Sequence, residues 1–194
     1  MTPPTVHEPL ILASQSPRRQ ELLKLCGIPF SVCVSQVEEQ FNHTLPLEKA
    51  TENLAWQKAK AVQDMYPEKI IIGADTIVCL DGIVFGKPKN QDDAFSMLSS
   101  LSGRTHQVVT GVSILTPQKE ILFSQKSKVT FFSLTPEEIQ NYIATGEPMD
   151  KAGSYGIQGK GTLFVNEIEG DFHSIMGLPV SLLYRELKKL FTHG

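Results

Sequence analysis

The sequence contains only three cysteines, a single tryptophan and no marked excess of either charge. Cys26, Cys33 and Cys79 lie among apolar neighbours without metal-ligand spacing, which favours reduced core residues in a cytoplasmic protein over a disulfide framework. The net charge of −3 provides no global basic field for DNA, RNA or an anionic membrane. Any site for an anionic ligand must therefore be local.

Long apolar runs are also missing. The most apolar segment, around Ile70 to Leu80, is interrupted by Asp75 and is too short to cross a bilayer. Residues 1–9 contain three prolines but no Lys, Arg or apolar core, which predicts a loose tail rather than a secretory signal. We expect residues 10–194 to form a single domain. No Ser-His-Asp or Cys-His arrangement suited to covalent catalysis is visible in the sequence.

Apolar runs of strand length alternate with segments of helical periodicity along the chain. Strands are predicted at Leu10–Ala13, Phe30–Ser35, Ile70–Leu80, Ile83–Phe85, Val108–Leu115, Ile121–Phe132, Thr162–Glu169 and Phe172–Met176. Helices are predicted to begin at Pro17, Leu47, Asp92 or Asp93, and Pro136, with a closing helix around Leu182–Leu190. This alternation, with one antiparallel hairpin region in the middle, predicts an α/β protein in which helices flank a mixed sheet.

The segment Leu10–Leu23 is typical of a buried strand followed by a turn and a helix. Ser14 and Ser16 fill the turn, and Ser16 is a suitable N-cap before a proline at the first helical position. Arg18 and Arg19 fall in the first helical turn, where positive charge opposes the helix dipole. Their guanidinium groups, the serine hydroxyls and free N–H groups could converge on a phosphate. A solvated pair of arginines on an ordinary helix is an equally acceptable interpretation.

Carboxylates accompany two of the predicted strands. Asp75 lies within the most apolar strand, and a buried carboxylate is costly unless it is hydrogen-bonded or binds a metal. Gly73 and Ala74 precede it and would let another backbone or a ligand approach closely. Glu38 and Glu39 follow the second strand and point to opposite faces of an extended backbone, so one of them could face a site. A solvated acidic loop is the alternative for this pair.

Two lysines and a glycine-rich segment complete the set of candidates. Lys58 lies on the apolar stripe of the predicted helix from Leu47 to Tyr66, so it either extends along apolar surface to water or serves a site. Lys87 stands at the mouth of the predicted hairpin, between a glycine and a proline. The segment from Gly146 to Gly161 has little periodicity, and long structured loops of this kind are often functional.

These segments together resemble the Maf family of nucleoside triphosphate pyrophosphatases. The resemblance rests on Ser14–Leu23, Gly73–Thr76, Gly86–Pro88, Leu101–Arg104 and Gly146–Gly153, and it extends from about Leu10 to the C-terminal helix. It implies a mixed α/β fold with two lobes around a cleft, shared with the inosine triphosphatase-like enzymes, and a cytoplasmic enzyme that forms a homodimer. Members of the family hydrolyse a nucleoside triphosphate to the monophosphate and pyrophosphate with a divalent metal cation, which we expect to be Mg or Mn.

The resemblance also implies roles for individual residues. Asp75 corresponds to the family's proton acceptor, and Glu39 and Asp75 are the expected metal ligands, although the neighbouring Glu38 could be confused with Glu39. Whether Asp75 mainly binds the metal or mainly takes the proton stays open at this point. The substrate-binding set combines positions implied by the family with a serine and an arginine of the opening segment: Ser14, Arg18, Arg19, Lys58, Thr76, Lys87 and Gln158.

The run Gly153–Gly159 resembles the branch of the family that acts on dTTP and UTP. The amide of Gln158 can both donate to and accept from the edge of uracil or thymine. The activity would limit incorporation of non-standard nucleotides and could be linked to arrest of cell division. Two alternatives stay open: a pyrophosphatase for 7-methyl-GTP or other modified nucleotides, and a nucleotide-binding regulator with little catalysis.

Overall fold

The computed structural model describes residues 10–34 and 37–192, so the predicted tail at 1–9 and the end of the predicted second strand lie outside the described residues. The strands are β1 (Leu10–Leu12), β2 (Phe30–Val32), β3 (Ile70–Leu80), β4 (Ile83–Phe85), β5 (Thr105–Leu115), β6 (Glu120–Phe131) and β7 (Val165–Glu169). The α-helices are α1 (Pro17–Lys24), α2 (Leu47–Gln63), α3 (Gln91–Leu101), α4 (Pro136–Ile143), α5 (Phe172–Met176) and α6 (Val180–Thr192). Short 3₁₀ helices occupy Glu147–Asp150, Ala152–Ser154 and Gly159–Phe164. Within these described ranges, every helix is too short or too polar to cross a membrane.

Seven strands of the described chain form one mixed sheet. Their order is β2-β1-β3-β5-β6-β7, with β4 paired to β3. Strand β1 runs parallel to both β2 and β3, whereas β4 is antiparallel to β3 and β7 is antiparallel to β6. The parallel pairs need long connections, which contain helices, and the β3–β4 pair needs only the turn at Asp81-Gly82. The α/β class and the mixed sheet flanked by helices are confirmed.

The chain divides into two compact units. Among the described residues, the first comprises 10–34, 37–75, 110–125 and 177–192. The second comprises residues 76–109 and 126–176. Each unit contains several separate segments of the chain, so neither is formed by one continuous half of the sequence.

In the first unit, helix α2 packs directly on the sheet at two glycines. The apolar cluster formed by the helix and the sheet contains Ile11, Ala13, Ala59, Val62, Ile71 and Leu115. A Cβ atom on Gly73 of β3 would overlap the carbonyl oxygen of Ala55 and lie 2.9 Å from the Cβ of Ala59. A Cβ atom on Gly111 of β5 would lie 2.5 Å from the carbonyl oxygen of Thr51. Gly73 therefore admits the backbone of a helix, one of the two possibilities that its sequence context allowed.

In the second unit, aromatic rings fill the interior. Phe131 packs edge-to-face on His106, Tyr155 and Phe164, with ring centroids 4.7–6.0 Å apart. The Nε2 atom of His106 lies 2.7 Å from the hydroxyl of Tyr155. Burial lowers the pKa of His106 to about 4, so the imidazole is neutral near pH 7. His106 is thus a structural residue of the core.

The segment Phe172–Met176 forms helix α5, so the prediction of a strand there was wrong. The Oδ2 atom of Asp171 accepts a hydrogen bond from the backbone N–H of Ser174 at 2.7 Å, which is the geometry of a helix N-cap. This local cap outweighs the strand-like apolar pattern. The preceding strand also begins later than predicted, at Val165, because residues 162–164 belong to a 3₁₀ helix.

The substitution Gly73→Ala should lower the free energy of unfolding by about 1–3 kcal/mol, the usual cost of overpacking a core. The added methyl group would overlap the carbonyl oxygen of Ala55, a backbone atom that cannot rotate away. Gly86→Ala is the matched control, because a Cβ atom there meets nothing within 4 Å. Urea denaturation measures both variants, and equal stability of the two would contradict the close packing of α2 on β3.

Candidate active site

Helix α1 begins with a serine cap, and two arginines lie in its first turn. The Oγ atom of Ser16 accepts from the backbone N–H of Arg19 at 3.5 Å, and Pro17 occupies the first helical position. The guanidinium of Arg19 donates through Nε to the carbonyl oxygen of Gly177 at 2.9 Å and through Nη1 to Oγ of Ser14 at 3.4 Å. Ser14 itself is buried. Arg19 is therefore held inside the first unit, which rules out a solvated surface role for this arginine.

The charge of Arg19 lies in the field of two carboxylates. Burial lowers the pKa of Arg19 below its ordinary value, the charges of Asp75 and Glu39 raise it, and the neighbouring Arg18 lowers it. Arginine stays protonated in proteins despite such shifts. A half-buried positive charge thus accompanies the two acidic residues that the sequence singles out.

Lys58 on α2 joins those two carboxylates. Its Nζ atom donates a hydrogen bond to Oδ1 of Asp75 and lies 3.0 Å from Oε2 of Glu39. The side chains of Lys58 and Asp75 are only 15% and 14% exposed, and that of Glu39 is 39% exposed. Lys58 therefore serves the carboxylates and does not merely extend to water. The contact also distinguishes the adjacent glutamates: both are exposed, and Glu39 is the one that reaches Lys58.

Gln57 ties the backbone next to Glu39 to helix α2. The backbone N–H of Gln40 donates to Oε1 of Gln57 at 2.9 Å, and Nε2 of Gln57 donates to the carbonyl oxygen of Gln40 at 2.9 Å. A further bond from Nε2 to Oδ1 of Asn53, at 2.7 Å, fixes the amide. Because Gln57 immediately precedes Lys58, this clamp brings Glu39 to the ammonium. Sequence reasoning missed Gln57, and its position beside a candidate lysine was the available signal.

The remaining predicted residues lie in the second unit. Thr76 follows Asp75 on β3 and is half-buried, whereas Lys87, just after β4, and Gln158 are exposed. The carbonyl oxygen of Gly86 accepts from the backbone N–H of Gly153 at 3.0 Å, which bonds the Lys87 segment to the glycine-rich segment. The first unit thus holds Ser14, Arg18, Arg19, Glu39, Lys58 and Asp75, and the second holds Thr76, Lys87 and Gln158.

Glu39 and Asp75 are the residues that could hold a divalent cation. They are hard oxygen donors, and both already contact a cation in the form of the Lys58 ammonium. Within residues 10–34 and 37–192, no group of three or more His, Cys, Asp or Glu side chains has the arrangement of a metal centre. A pair of carboxylates nevertheless fits magnesium, which commonly takes one or two of them and completes its coordination with water and substrate phosphate.

Nearly the whole chain matches a known family. Residues 9–190 match the family described as Maf-like protein. The chain belongs to the Maf family. One relative, named dTTP/UTP pyrophosphatase, comes from Geobacillus sp. (strain WCH70); it is 53% identical over 93% of this chain and 97% of its own length. A second protein of that name, from Bacillus cereus (strain B4264), is 51% identical over 93% of this chain and 94% of its own length. A third, of the same name, from Bacillus velezensis is 53% identical over 93% of this chain and 95% of its own length.

In this Maf protein, the contact between Arg19 and Gly177 could not be predicted from side-chain types. The acceptor for Arg19 is the backbone carbonyl of Gly177, far along the chain. Gly177 has φ of 122°, a conformation that favours glycine. The glycine itself was therefore the only signal in the sequence for this position.

In this Maf protein, Lys58→Met should lower the free energy of unfolding at pH 7 by about 1–3 kcal/mol, because Asp75 and Glu39 would lose their shared ammonium. Lys60→Met on the same helix is the control. Its exposed partner Asp64 lies 3.1 Å away, and such surface pairs contribute about 0–1 kcal/mol.

Urea denaturation compares the Lys58→Met and Lys60→Met proteins. Addition of Asp75→Asn to the Lys58→Met protein should recover part of the lost stability, because it removes one of the two unpaired negative charges. A Lys58→Met protein as stable as the Lys60→Met protein would contradict the role assigned to Lys58.

Proposed function

We propose that this chain is a nucleoside triphosphate pyrophosphatase that hydrolyses dTTP and UTP to the nucleoside monophosphate and pyrophosphate. The observation that carries the proposal is the meeting of Asp75 and Glu39 on the ammonium of Lys58, in the field of Arg19. Membership of the Maf family supports it. So do relatives named dTTP/UTP pyrophosphatase at 51–53% identity over 93% of the chain.

The basic residues are assigned to the triphosphate. Arg18 and Arg19 lie in the first turn of α1, where backbone N–H groups and the helix dipole favour an anion. Lys58 and Lys87 are assigned to phosphate oxygens, and Ser14 positions Arg19 through its hydroxyl. Fixed positive groups of this kind stabilise negative charge that develops on the leaving pyrophosphate.

Asp75 is assigned as the general base. Its Oδ1 atom is bound to Lys58, so Oδ2 is the oxygen that accepts the proton of the attacking water. The water oxygen forms a bond to the α-phosphorus, and the bond from this phosphorus to the bridging oxygen breaks, so pyrophosphate leaves. Proton transfer to a positioned side chain typically accelerates a reaction about 10²–10⁴-fold.

Glu39 and Asp75 are also assigned as ligands of a Mg or Mn ion. Their oxygen donors and their shared contact with an ammonium support this assignment. When bound, a divalent cation offsets phosphate charge and makes a coordinated water more acidic.

Base selection is assigned to Arg18, Thr76 and Gln158. The Gln158 amide is exposed, and it can pair with a donor and an acceptor on uracil or thymine.

The proposal also includes a cytoplasmic homodimer, a single domain spanning residues 10–194 and two lobes around a cleft. A role in limiting incorporation of non-standard nucleotides follows if such nucleotides are also hydrolysed.

Pyrophosphate release across a panel of nucleotides tests the function. With magnesium or manganese, kcat/KM should be highest for dTTP and UTP, and chelation of the metal should abolish release. Preference for 7-methyl-GTP would contradict the assigned substrate. Nucleotide binding with metal but without release of pyrophosphate would instead indicate a regulator.

The substitution Asp75→Asn should lower kcat by at least about a hundredfold, which corresponds to roughly 2.7 kcal/mol. An amide of the same shape cannot accept the proton of the attacking water. Asp64→Asn is the control. Among the salt bridges of the described residues, Asp64 takes part only in an exposed pair with Lys60. Turnover near that of the unsubstituted protein in the Asp75→Asn variant, with metal present, would remove Asp75 from the mechanism.

A further inference from the structure

The segment that carries Gln158 is closed into a tight loop. Residues on both sides of Gln158 approach one another, since a Cβ atom on Gly161 would overlap the carbonyl oxygen of Gly156. Ile157 is buried, whereas Gln158 is exposed. The loop therefore presents one amide side chain from a backbone that is held at both ends.

The carboxylate of Glu147 holds one end of this loop. Its Oε2 atom accepts from the backbone N–H of Lys160 at 3.0 Å, and its Oε1 atom accepts from the backbone N–H of Gly161 at 3.3 Å. Gly159 has φ of 80°, and a Cβ atom there would lie 2.8 Å from Oε2 of Glu147. The positive φ favours glycine at position 159, and the loop passes close to the carboxylate there.

The hydroxyl of Tyr142 connects Glu147 to the other end of the loop. It donates to Oε1 of Glu147 at 2.9 Å and accepts from the backbone N–H of Gly156 at 3.1 Å. Tyr142 is buried on α4 and packs edge-to-face on Phe164, with ring centroids 4.9 Å apart. The backbone before and after Gln158 is therefore bonded to one pair formed by the buried Tyr142 and the half-buried Glu147.

Glu147 is ionised when it makes these bonds. Burial by itself would raise the pKa of Glu147, but hydrogen bonds from Lys160, Tyr142 and Gly161 and the charge of Lys151 hold it below its ordinary value. An ionised carboxylate accepts three donors at once and makes each bond stronger than a neutral acceptor would.

We propose that Glu147 is a positioning residue for base selection, which acts through Tyr142 and the loop backbone to orient the amide of Gln158. The inference rests on the proposed function, in which Gln158 reads the base. An amide can present its donor and acceptor in two orders. A rigid loop fixes the position from which the amide reaches the base, and this position decides whether the amide can pair with uracil or thymine.

The test is Glu147→Gln. The substituted amide keeps one acceptor oxygen but turns an NH₂ donor toward a backbone N–H of the loop, so one end of the loop is released. The ratio of kcat/KM for UTP to kcat/KM for GTP should fall at least about tenfold, the loss expected for one charged hydrogen bond. The fall should come mainly from a higher KM for UTP, with kcat changed much less.

Glu169→Gln is the matched control, because Glu169 forms an exposed pair with Lys128 at 3.1 Å in the same unit. It should keep the nucleotide preference of the unsubstituted protein. Tyr142→Phe removes the bridging hydroxyl and keeps the ring, so it should shift the UTP-to-GTP ratio in the same direction. This second variant carries the test if Glu147→Gln does not fold.

A double variant separates positioning from a general loss of structure. In a Gln158→Ala background, Glu147→Gln should cause no further fall in the UTP-to-GTP ratio, because the side chain that it orients is gone. An unchanged ratio in Glu147→Gln, or an equal loss of kcat with every nucleotide, would overturn the inference. The proposed function fails separately, if the unsubstituted protein releases no pyrophosphate from dTTP or UTP.

Discussion

The candidate site depends on the contact between helix α2 and strand β3 at Gly73. Because this residue has no side chain, the carbonyl oxygen of Ala55 lies against the strand where a methyl group would otherwise be. Lys58 follows Ala55 by three residues on the helix, and Asp75 follows Gly73 by two on the strand, so the close approach brings their side chains together. A larger residue at position 73 would separate the two groups that the proposed chemistry needs side by side.

Charge balance then explains how polar groups are accommodated near the apolar core of the first unit. Asp75 and Glu39 share the ammonium of Lys58, and Arg19 adds a second positive charge in their field. Paired charges avoid much of the desolvation cost of isolated ones. The two basic groups would be able to exchange the carboxylates for a phosphate, and the two carboxylates would be able to exchange the ammonium for a metal ion.

Elements with strong local signals were predicted correctly, whereas one short apolar segment was not. The mixed α/β sheet and the helix start at Pro17 followed from apolar periodicity and capping residues, which are local signals. The strand predicted at Phe172–Met176 was wrong because a single cap at Asp171 decided the conformation of a short apolar run. Glu147 escaped notice as a loop anchor because its partners are backbone N–H groups, which have no signature in the sequence.

The sequence by itself determined the fold class, the family and the set of candidate residues, since these depend on residue types and their order along the chain. Only the tertiary structure decided which residues meet. In the folded chain Glu39, and not Glu38, contacts Lys58, and Lys58 also bonds to Asp75. Arg19 bonds to Ser14 and Gly177. The physical reason is that these contacts join segments distant in the chain, and such pairs are set by packing of helix on sheet.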